Sequence, residues 1–275
     1  MNQKKGTEAP SNYNDLEIKS VMELITGINQ EDFTVAQTVK ESLAQIEKLI
    51  TALVIKMKAG GRLFYIGAGT SGRLGILDAS EIPPTYNVHN TVIGLIAGGD
   101  TAIRNAVEFA EDNITQAWKD LLAYNISAKD FLIGIAASGT TPYVLGGIQA
   151  AKENGIPTGC IVCNSGSIVA SEADYPIELV TGPEFVTGST RMKAGTIQKM
   201  ALNMISTTAM IQLGKVKGNK MVEMQLSNSK LWNRATHMLI QELGISKEDA
   251  LILIQQHKSV KKAIKAYQSQ TNTNA

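Results

Sequence analysis

Short apolar runs alternate with helical segments through the middle of this 275-residue chain, and the alternation restricts the folds that the chain can adopt. The runs are mostly continuous rather than alternating in polarity, which is typical of strands buried on both faces of a parallel sheet. Helices between them suit the crossover connections that parallel strands require. The predicted strands are Arg62–Ile66, Thr91–Ile96, Phe131–Ala136, Thr158–Val162 and Ile177–Val180. We therefore predict an α/β protein with a doubly wound parallel sheet.

Helical periodicity dominates both ends of the chain. Apolar residues recur at helical spacing over Asp15–Ile28 and again from near Thr34 to Lys58. Toward the other end the pattern predicts three helices: Asn228–Leu243, a second opened by Ser246, and Lys258–Tyr267. We accordingly divide the sequence into N-terminal helices (residues 1–50), the sheet domain (51–218), a small C-terminal three-helix unit (219–268) and a polar tail (269–275).

Charge and hydropathy exclude several classes of partner. Lys and Arg number 26 and Asp and Glu 25, a net charge of +1, so no basic excess indicates nucleic acid. No apolar run reaches the roughly 18 residues of a membrane helix. The N-terminal lysines are not followed by the apolar core of a signal peptide. We therefore expect a cytoplasmic protein without a nucleic-acid or membrane partner.

The two cysteines, Cys160 and Cys163, form a CxxC motif inside a predicted strand. Redox chemistry or half of a zinc site is the functional interpretation. The sequence has no second cysteine pair, and its three histidines are distant along the chain. We predict two reduced thiols in the core, because free cysteine is among the most buried residue types.

The loop after the first predicted strand, Gly67–Gly72, packs glycines and hydroxyls into the start of a helix. Dinucleotide-binding folds share its GxGxxG spacing, but they place an acidic residue about 20 residues after the glycines, at the end of the second strand. In this chain the second predicted strand is followed by Asp100, which is farther from the glycines than that. The hydroxyls of Thr70 and Ser71 suit a phosphate monoester or a sugar better than a pyrophosphate. Because backbone N–H groups at a helix N-terminus bind anions, Gly69, Thr70 and Ser71 are candidate phosphate ligands.

Two later loops have the same small and hydroxyl-bearing residues. Ser138, Gly139 and Thr141 follow the third predicted strand, where ordinary helix capping by Thr141 is the alternative. Ser189 and Lys193 belong to the segment TGSTRMKAG, whose cations could offset the charge of an anionic ligand. Since ligands bind beyond the carboxyl ends of parallel strands, we expect the first two loops to converge on one site.

Glu81, Glu108 and Glu111 are candidate general acids or bases. Glu81 precedes Pro83-Pro84, which we expect to stop the helix. The other two lie three apart on a helix predicted over Asp100–Asp112, and the residues alone do not choose between them. A solvated surface role is the ordinary alternative for each. The sequence contains no recognisable metal-ligand cluster or Ser–His–Asp pattern, so carboxylate acid–base chemistry without a metal or cofactor is the simplest interpretation.

Four segments resemble the N-acetylmuramic acid 6-phosphate etherases, which are sugar isomerase (SIS) domain proteins. The segments are residues 65–86, 95–112, 134–144 and 186–219, and the most specific motifs are DASE-x-PPT and TGSTRMKAGT. The resemblance implies a SIS fold, a homodimer and a small phosphosugar as substrate. It also implies cleavage of the ether between sugar carbon 3 and the lactyl group. The products would be N-acetylglucosamine 6-phosphate and D-lactate, in the recycling of cell-wall muramic acid.

The catalytic glutamates of that family match Glu81 and Glu111. We hypothesise that Glu81 protonates the departing oxygen and Glu111 removes the proton at carbon 2, with the reverse assignment open. The chain departs from the family at Thr140, where arginine is usual.

Two alternatives on the same fold are an aldose–ketose phosphosugar isomerase and a phosphosugar sensor without activity. Release of lactate distinguishes the etherase from both.

Overall fold

A computed structural model describes residues 6–222, 226 and 229–273. Its central feature is a five-stranded parallel sheet with the strand order β2-β1-β3-β4-β5. The strands are β1 (Leu63–Gly67), β2 (Val92–Ile96), β3 (Phe131–Ala136), β4 (Thr158–Val162) and β5 (Tyr175–Glu178). Each predicted strand is present, although β5 begins and ends earlier than predicted. The predicted α/β fold with a parallel sheet is confirmed.

Helices precede, connect and follow these strands. They are α1 (Val21–Glu41), α2 (Leu43–Lys58), α3 (Gly69–Tyr86), α4 (Thr101–Arg104), α5 (Gln116–Ala123), α6 (Pro142–Glu153), α7 (Ile168–Glu172), α8 (Lys193–Gln212), α9 (Ser229–Leu243), α10 (Lys247–His257) and α11 (Val260–Thr273). Of these, α7 is not predicted from the sequence. A two-stranded antiparallel hairpin, β6 (Val216–Lys217) and β7 (Lys220–Met221), is also unpredicted.

The sheet is covered on both faces. Gly134 of β3 and Gly159 of β4 are offset by one position in the register, so they face opposite sides of the sheet. A Cβ atom at Gly134 would lie 2.6 Å from Val144 in α6, and one at Gly159 would lie 2.5 Å from Leu49 in α2. Two helices therefore press on opposite faces at glycines, which explains why these strands are apolar throughout.

The strand order places a topological switch point between β1 and β3. The chain leaves β1 to form β2 on one side and returns to form β3 on the other. In open parallel sheets, ligands bind beyond the carboxyl ends of the strands at such a point. The loop that begins at Ala68 and the loop over residues 137–141 therefore lie side by side, as their predicted convergence requires.

The N-terminal helices differ from prediction at their junction. A capping box between Ser20 and Glu23 starts α1, because the Ser20 hydroxyl accepts the Glu23 N–H and the Glu23 carboxylate accepts the Ser20 N–H. The predicted helix start at Asp15 and the predicted break before Thr34 are therefore wrong. The two helices separate instead at Ser42, whose hydroxyl donates to a carbonyl of β5.

Helix α3 continues through Pro83-Pro84, so the expectation that these prolines stop it is wrong. Each proline removes an N–H donor but keeps a φ that a helix accepts, and both lie in the last turn. The helix ends where Asn87 takes a left-handed φ of +53° and donates its N–H to the Pro83 carbonyl at 2.9 Å. Glu81 therefore lies within the helix, and its side chain is exposed.

The helix predicted over Asp100–Asp112 is also wrong. Helix α4 ends at Arg104, and only a single 3-10 turn, Ala110–Asp112, follows. The side chain of Asp100 makes no capping hydrogen bond, and Phe109 has a left-handed φ of +60° that breaks helical continuity. Glu108 and Glu111 consequently do not share a helix face.

The described residues group into two compact units. One contains the chain up to Ser80 together with Asn90–Ala209, and it holds the parallel sheet. The other contains Glu81–His89 and the described residues from Met210 onward. Within this second unit, α9, α10 and α11 pack around a core that includes Leu239.

The C-terminal helices match the sequence closely at their starts. The Ser246 hydroxyl accepts the Asp249 N–H at 3.0 Å, so the predicted cap of α10 is confirmed. The predicted first residue of α9, Asn228, lies outside the described residues. Helix α11 continues to Thr273, so the predicted polar tail is helical as far as that residue.

Cys160 and Cys163 are both free and fully buried, which confirms the prediction of reduced core thiols. Burial raises the pKa of Cys160 to about 12, so the thiol stays protonated near neutral pH. In the described part of the chain, no helix combines the length and apolar character needed to span a membrane.

Candidate functional site

A cavity of about 390 Å³ lies at the carboxyl ends of β1 and β3. Its walls come from five separate parts of the sequence, all within the unit that holds the sheet. The polar residues that line it are Glu8, Thr70, Ser71, Glu111, Asp112, Ser138, Thr140, Thr141 and Thr190. The structure thus brings the first two predicted loops together with Glu111.

The first turn of α3 forms one wall, with Gly69, Thr70 and Ser71 facing the cavity. The turn is tight: a Cβ atom at Gly67 would lie 2.7 Å from the N atom of Gly72. Ser71 donates its hydroxyl hydrogen to Gln198 of α8 at 2.9 Å, which fixes the turn against that helix. The N–H groups in the first turn of a helix lack partners within the helix and carry partial positive charge, so this wall attracts an anion.

The loop after β3 forms the facing wall. Gly139 has a φ of +68°, and a Cβ atom there would lie 2.2 Å from the Ser167 hydroxyl, so only glycine fits. Gly139 shapes this loop without lining the cavity. Thr140 donates its N–H and its hydroxyl to the Ser138 hydroxyl at 3.2 and 3.1 Å. Thr141 is the N-cap residue of α6, as predicted, but its side chain makes no capping hydrogen bond and the residue lines the cavity.

The carboxylates divide between the two units. Glu111 and Asp112 share the 3-10 turn over residues 110–112, and both line the cavity. Glu81 is exposed on α3 and is not among the described residues that line this cavity. Glu108 lines a smaller neighbouring cavity instead.

The TGSTRMKAG segment contributes less to the cavity than the sequence predicts. Thr190 lines the cavity, whereas Ser189 and Lys193 do not. The Lys193 ammonium is buried and forms an ion pair with Glu31 of α1. The N–H groups of Lys193 and Ala194 donate to the buried Glu184 carboxylate at 2.8 and 2.9 Å. These contacts cap α8 and tie it to α1, which is a structural role.

The DASE motif has a structural component in Asp78. Its carboxylate is buried and accepts hydrogen bonds from the hydroxyls of Tyr65 in β1 and Ser206 in α8, at 3.1 and 3.0 Å. Burial, reinforced by the Asp78 carboxylate, raises the pKa of Tyr65. Asp78 therefore holds α3 against the sheet and sets the direction in which its N-terminus points.

Glu8 is a cavity residue that the sequence does not predict. The segment that carries it is fastened by Asn164, which accepts the Thr7 N–H at 3.1 Å and donates to the Thr7 hydroxyl at 2.9 Å. Asn164 also donates to the carbonyls of the β3 loop at Ala137 and Ser138. The contacts between Asn164 and Thr7 span more than 150 residues of sequence, so no local pattern in the polar N-terminus could reveal them.

A second cavity of about 220 Å³ adjoins the first. Ala68, Gly69 and Glu111 line both. Its other walls are the partly buried Arg73 and residues between the end of β2 and the 3-10 turn, which include small apolar side chains together with Glu108 and Phe109. Glu111 therefore lines both a hydroxyl-rich cavity and a smaller one in which charged and apolar side chains are mixed.

Two family models match the chain. The glucokinase regulatory protein N-terminal SIS domain matches residues 45–152, and the SIS domain matches residues 103–208. An N-acetylmuramic acid 6-phosphate etherase of Christiangramia forsetii is 62% identical over 274 residues, or 99% of this chain and 100% of that protein. The chain belongs to the N-acetylmuramic acid 6-phosphate etherase family.

Further members of the etherase family are similar to this chain over most of its length. The Bacteroides fragilis etherase (strain ATCC 25285) is 62% identical over 266 residues, which are 96% of this chain and 95% of that protein. The Salmonella agona etherase is 49% identical over 243 residues, which are 88% of this chain and 82% of that protein. The similarity therefore includes the C-terminal helices as well as the sheet.

Solved structures support the SIS fold of this etherase family member. A protein of Escherichia coli strain CFT073 has a TM-score of 0.55 at 18% identity, covering 75% of this chain and 96% of that one. A putative phosphosugar isomerase of Bacteroides fragilis has a TM-score of 0.54 at 21% identity, covering 71% and 92%. At this identity the likeness shows the fold alone.

Proposed function

We propose that this protein cleaves the D-lactyl ether of N-acetylmuramic acid 6-phosphate, giving N-acetylglucosamine 6-phosphate and D-lactate. The observation that carries the proposal is the position of Glu111, which lies beside the anion-attracting turn of α3 and the hydroxyls of the β3 loop. This arrangement provides a phosphate site next to an acid–base group, as a phosphosugar lyase needs.

The phosphate is held between the two loops of the larger cavity. The backbone N–H groups of Gly69, Thr70 and Ser71 face it from one side, and the hydroxyls of Ser138 and Thr141 from the other. The phosphate takes no part in the bond cleavage. Its binding supplies the remote energy that orients the sugar for reaction.

The chemistry proceeds by elimination followed by addition of water. Opening of the sugar ring exposes an aldehyde at carbon 1, which acidifies the hydrogen at carbon 2. Glu111 removes that proton, the bond between carbon 3 and the ether oxygen breaks, and Glu81 protonates the departing lactate oxygen. Water then adds across the resulting double bond, with its hydroxyl at carbon 3 and its proton at carbon 2. Two carboxylates in different environments can divide the acid and base roles in this way.

We also propose a homodimer in which Glu81 of the partner subunit completes the site. The Glu81 side chain is exposed on α3. A residue that contributes to a site on a second chain has to be exposed when its own subunit is considered alone. Helix α1 exposes Val21, Met22, Ile25 and Phe33, each to more than half of its surface. Apolar exposure of this kind is typical of an interaction face. We further propose that the reaction takes place in the cytoplasm, because a phosphate ester such as the proposed substrate crosses a bilayer only at great cost.

Incubation with N-acetylmuramic acid 6-phosphate in H₂¹⁸O, with mass spectrometry of both products, tests the activity. We expect equal amounts of D-lactate and N-acetylglucosamine 6-phosphate. The label should appear at carbon 3 of the sugar and not in lactate, because the sugar–oxygen bond is the one that breaks. A phosphosugar isomerase or a sensor would release no lactate, and that result would overturn the proposal.

A further inference from the structure

We infer that the smaller cavity is the subsite for the lactyl group, and that Arg73 binds its carboxylate. The inference rests on the proposed function, because it assigns a place to the part of the substrate that the reaction removes. Arg73 lies in α3 shortly after the phosphate-facing residues of its first turn, and it lines the smaller cavity.

Arg73 is held in place by a backbone carbonyl, and none of the described acidic side chains forms an ion pair with it. Its Nε–H donates to the carbonyl of Ile103 at 3.0 Å, which orients the guanidinium plane. Glu108 and Glu111 line the same cavity, yet among the described residues neither forms an ion pair with Arg73. A partly buried guanidinium without a direct ion-pair partner is costly, so a carboxylate that contacts Arg73 directly is stabilised. The other N–H donors of a guanidinium suit both oxygens of a carboxylate.

The remaining walls suit the rest of the lactyl group. Ala97, Ala102, Ala106 and Val107 line one part of the space with methyl groups, and the volume of about 220 Å³ is small. A three-carbon acid carries one methyl group to place against such a wall and one carboxylate to place against Arg73. A second phosphate would leave the apolar wall without a partner.

The order of the two cavities also agrees with the order of groups in the substrate. Glu111 lines both cavities, so it lies between the phosphate site and Arg73. In the substrate, the reacting carbons likewise lie between the phosphate and the lactyl carboxylate. The two negative ends of the substrate would then meet two separate positive regions, the N-terminus of α3 and the Arg73 guanidinium.

The test compares the natural substrate with its lactyl amide, in which a neutral carboxamide replaces the carboxylate. We would measure kcat/KM for both compounds with the wild type and with Arg73→Met, Arg73→Lys and Arg104→Met. Arg104 is an exposed arginine near the same cavity that does not line it, so it is the matched control. A carboxylate–guanidinium contact makes the wild type prefer the acid over the amide by about 10- to 100-fold.

The ratio of the two substrates is the decisive quantity, because a purely structural change would slow both equally. We expect the preference to fall to about threefold or less in Arg73→Met, to be intermediate in Arg73→Lys, and to persist in Arg104→Met. An undiminished preference in Arg73→Met overturns the inference, as does a wild type that does not distinguish acid from amide. The wild-type comparison and the lysine variant keep the test valid if Arg73→Met does not fold.

Failure of the proposed function would give a different result. If the wild type releases no lactate, calorimetry of the two compounds still measures their binding without turnover. A preference for the acid that Arg73→Met abolishes would then support the subsite although the etherase proposal had failed. Normal lactate release with no preference for the acid would reject the subsite and leave the etherase proposal intact.

Discussion

Glu111 lines both cavities, whereas Glu108 lines only the smaller one, and this difference predicts the outcome of exchanging each for glutamine. Loss of a general base lowers kcat by about 10²- to 10⁴-fold. We expect that loss in Glu111→Gln with KM little changed, and a change in kcat within about threefold in Glu108→Gln. Steady-state rates of lactate release measure both variants. Equal losses in the two variants would contradict the assignment of Glu111.

Thr140 lines the phosphate cavity at a position where arginine is usual in the family that the sequence resembles. Introducing the guanidinium in Thr140→Arg adds a charge-assisted donor for the substrate phosphate, so we expect KM to fall on the order of fivefold. The improvement should shrink at high salt, because exposed charges are screened. Thr140→Gln, which is similarly polar but neutral, is the control and should leave KM unchanged. An unchanged KM in Thr140→Arg at low salt would show that the added cation does not reach the phosphate.

The surroundings of Gly139 predict how much stability is lost when it is replaced by alanine, because the Ser167 side chain occupies the space that a Cβ atom would need. Gly139→Ala forces a left-handed φ on alanine and places its Cβ 2.2 Å from the Ser167 hydroxyl. Gly166 also has a positive φ, of +61°, but has open space around it. We expect Gly166→Ala to cost about 1 kcal/mol and Gly139→Ala about 3 kcal/mol. Urea unfolding of both variants measures the difference, and equal costs would mean that the clash relaxes freely.

Strands β1 and β3 are joined at their amino ends by the ion pair of the partly exposed Arg62 with the buried Asp130. Arg62 donates Nε–H and Nη2–H to the two oxygens of Asp130 at 3.1 and 2.9 Å, and the backbone N–H of Arg62 and Ser127 also donate to this carboxylate. Burial raises the pKa of Asp130, but these hydrogen bonds outweigh it and leave the pKa below its ordinary value. The pair thus fixes the register in which the two central strands start.

A depressed pKa in the folded state makes stability depend on pH in a definite direction. The contribution is complete above the ordinary aspartate pKa of about 3.9 and is lost as pH falls through the lower folded value. Asp130→Asn should lower the free energy of unfolding at pH 7 by about 1–3 kcal/mol. It should also flatten the decline in stability as pH falls below about 4. Chemical denaturation at several pH values measures both, and an unchanged slope in the variant would contradict the role of Asp130.

The strands follow from the sequence more directly than the helices do. Continuous apolar runs fix β1, β3 and β4 because helices cover them on both faces, and burial of that kind leaves a local signal. The breaks in the helices depend instead on φ values that periodicity does not encode. Phe109 has a left-handed φ, and Pro83-Pro84 accept a helical one.

The site could be predicted only in part for a related reason. The hydroxyl loops are local patterns, so the sequence places them at the ends of predicted strands, whereas Glu111 is distinguished from Glu108 only by the resemblance to the etherase family. The positions of Glu8 and Lys193 depend on contacts made across the fold, between the neighbouring Thr7 and Asn164 in the first case and between Lys193 and Glu31 in the second. The first of these contacts brings a residue into the cavity, and the second holds one away from it.

The proposed homodimer makes a prediction that neither glutamate variant can test alone. Glu81→Gln and Glu111→Gln should each be inactive, but a heterodimer of the two contains one site with Glu111 of one subunit and an intact Glu81 of the partner subunit. The other site of that heterodimer lacks both glutamates. In an equal mixture, half of the dimers are heterodimers, so activity should return to about a quarter of the wild-type value after subunit exchange.

The control for this experiment is the same mixture kept without exchange, which should stay inactive. Differently tagged subunits allow the heterodimer to be isolated, and it should then have about half of the wild-type activity. If a single chain supplies both glutamates, every site in the mixture lacks one of them. No exchange would then restore lactate release, even though the heterodimer had formed. Recovery thus requires a dimer, a contribution of Glu81 to catalysis and a site shared between subunits.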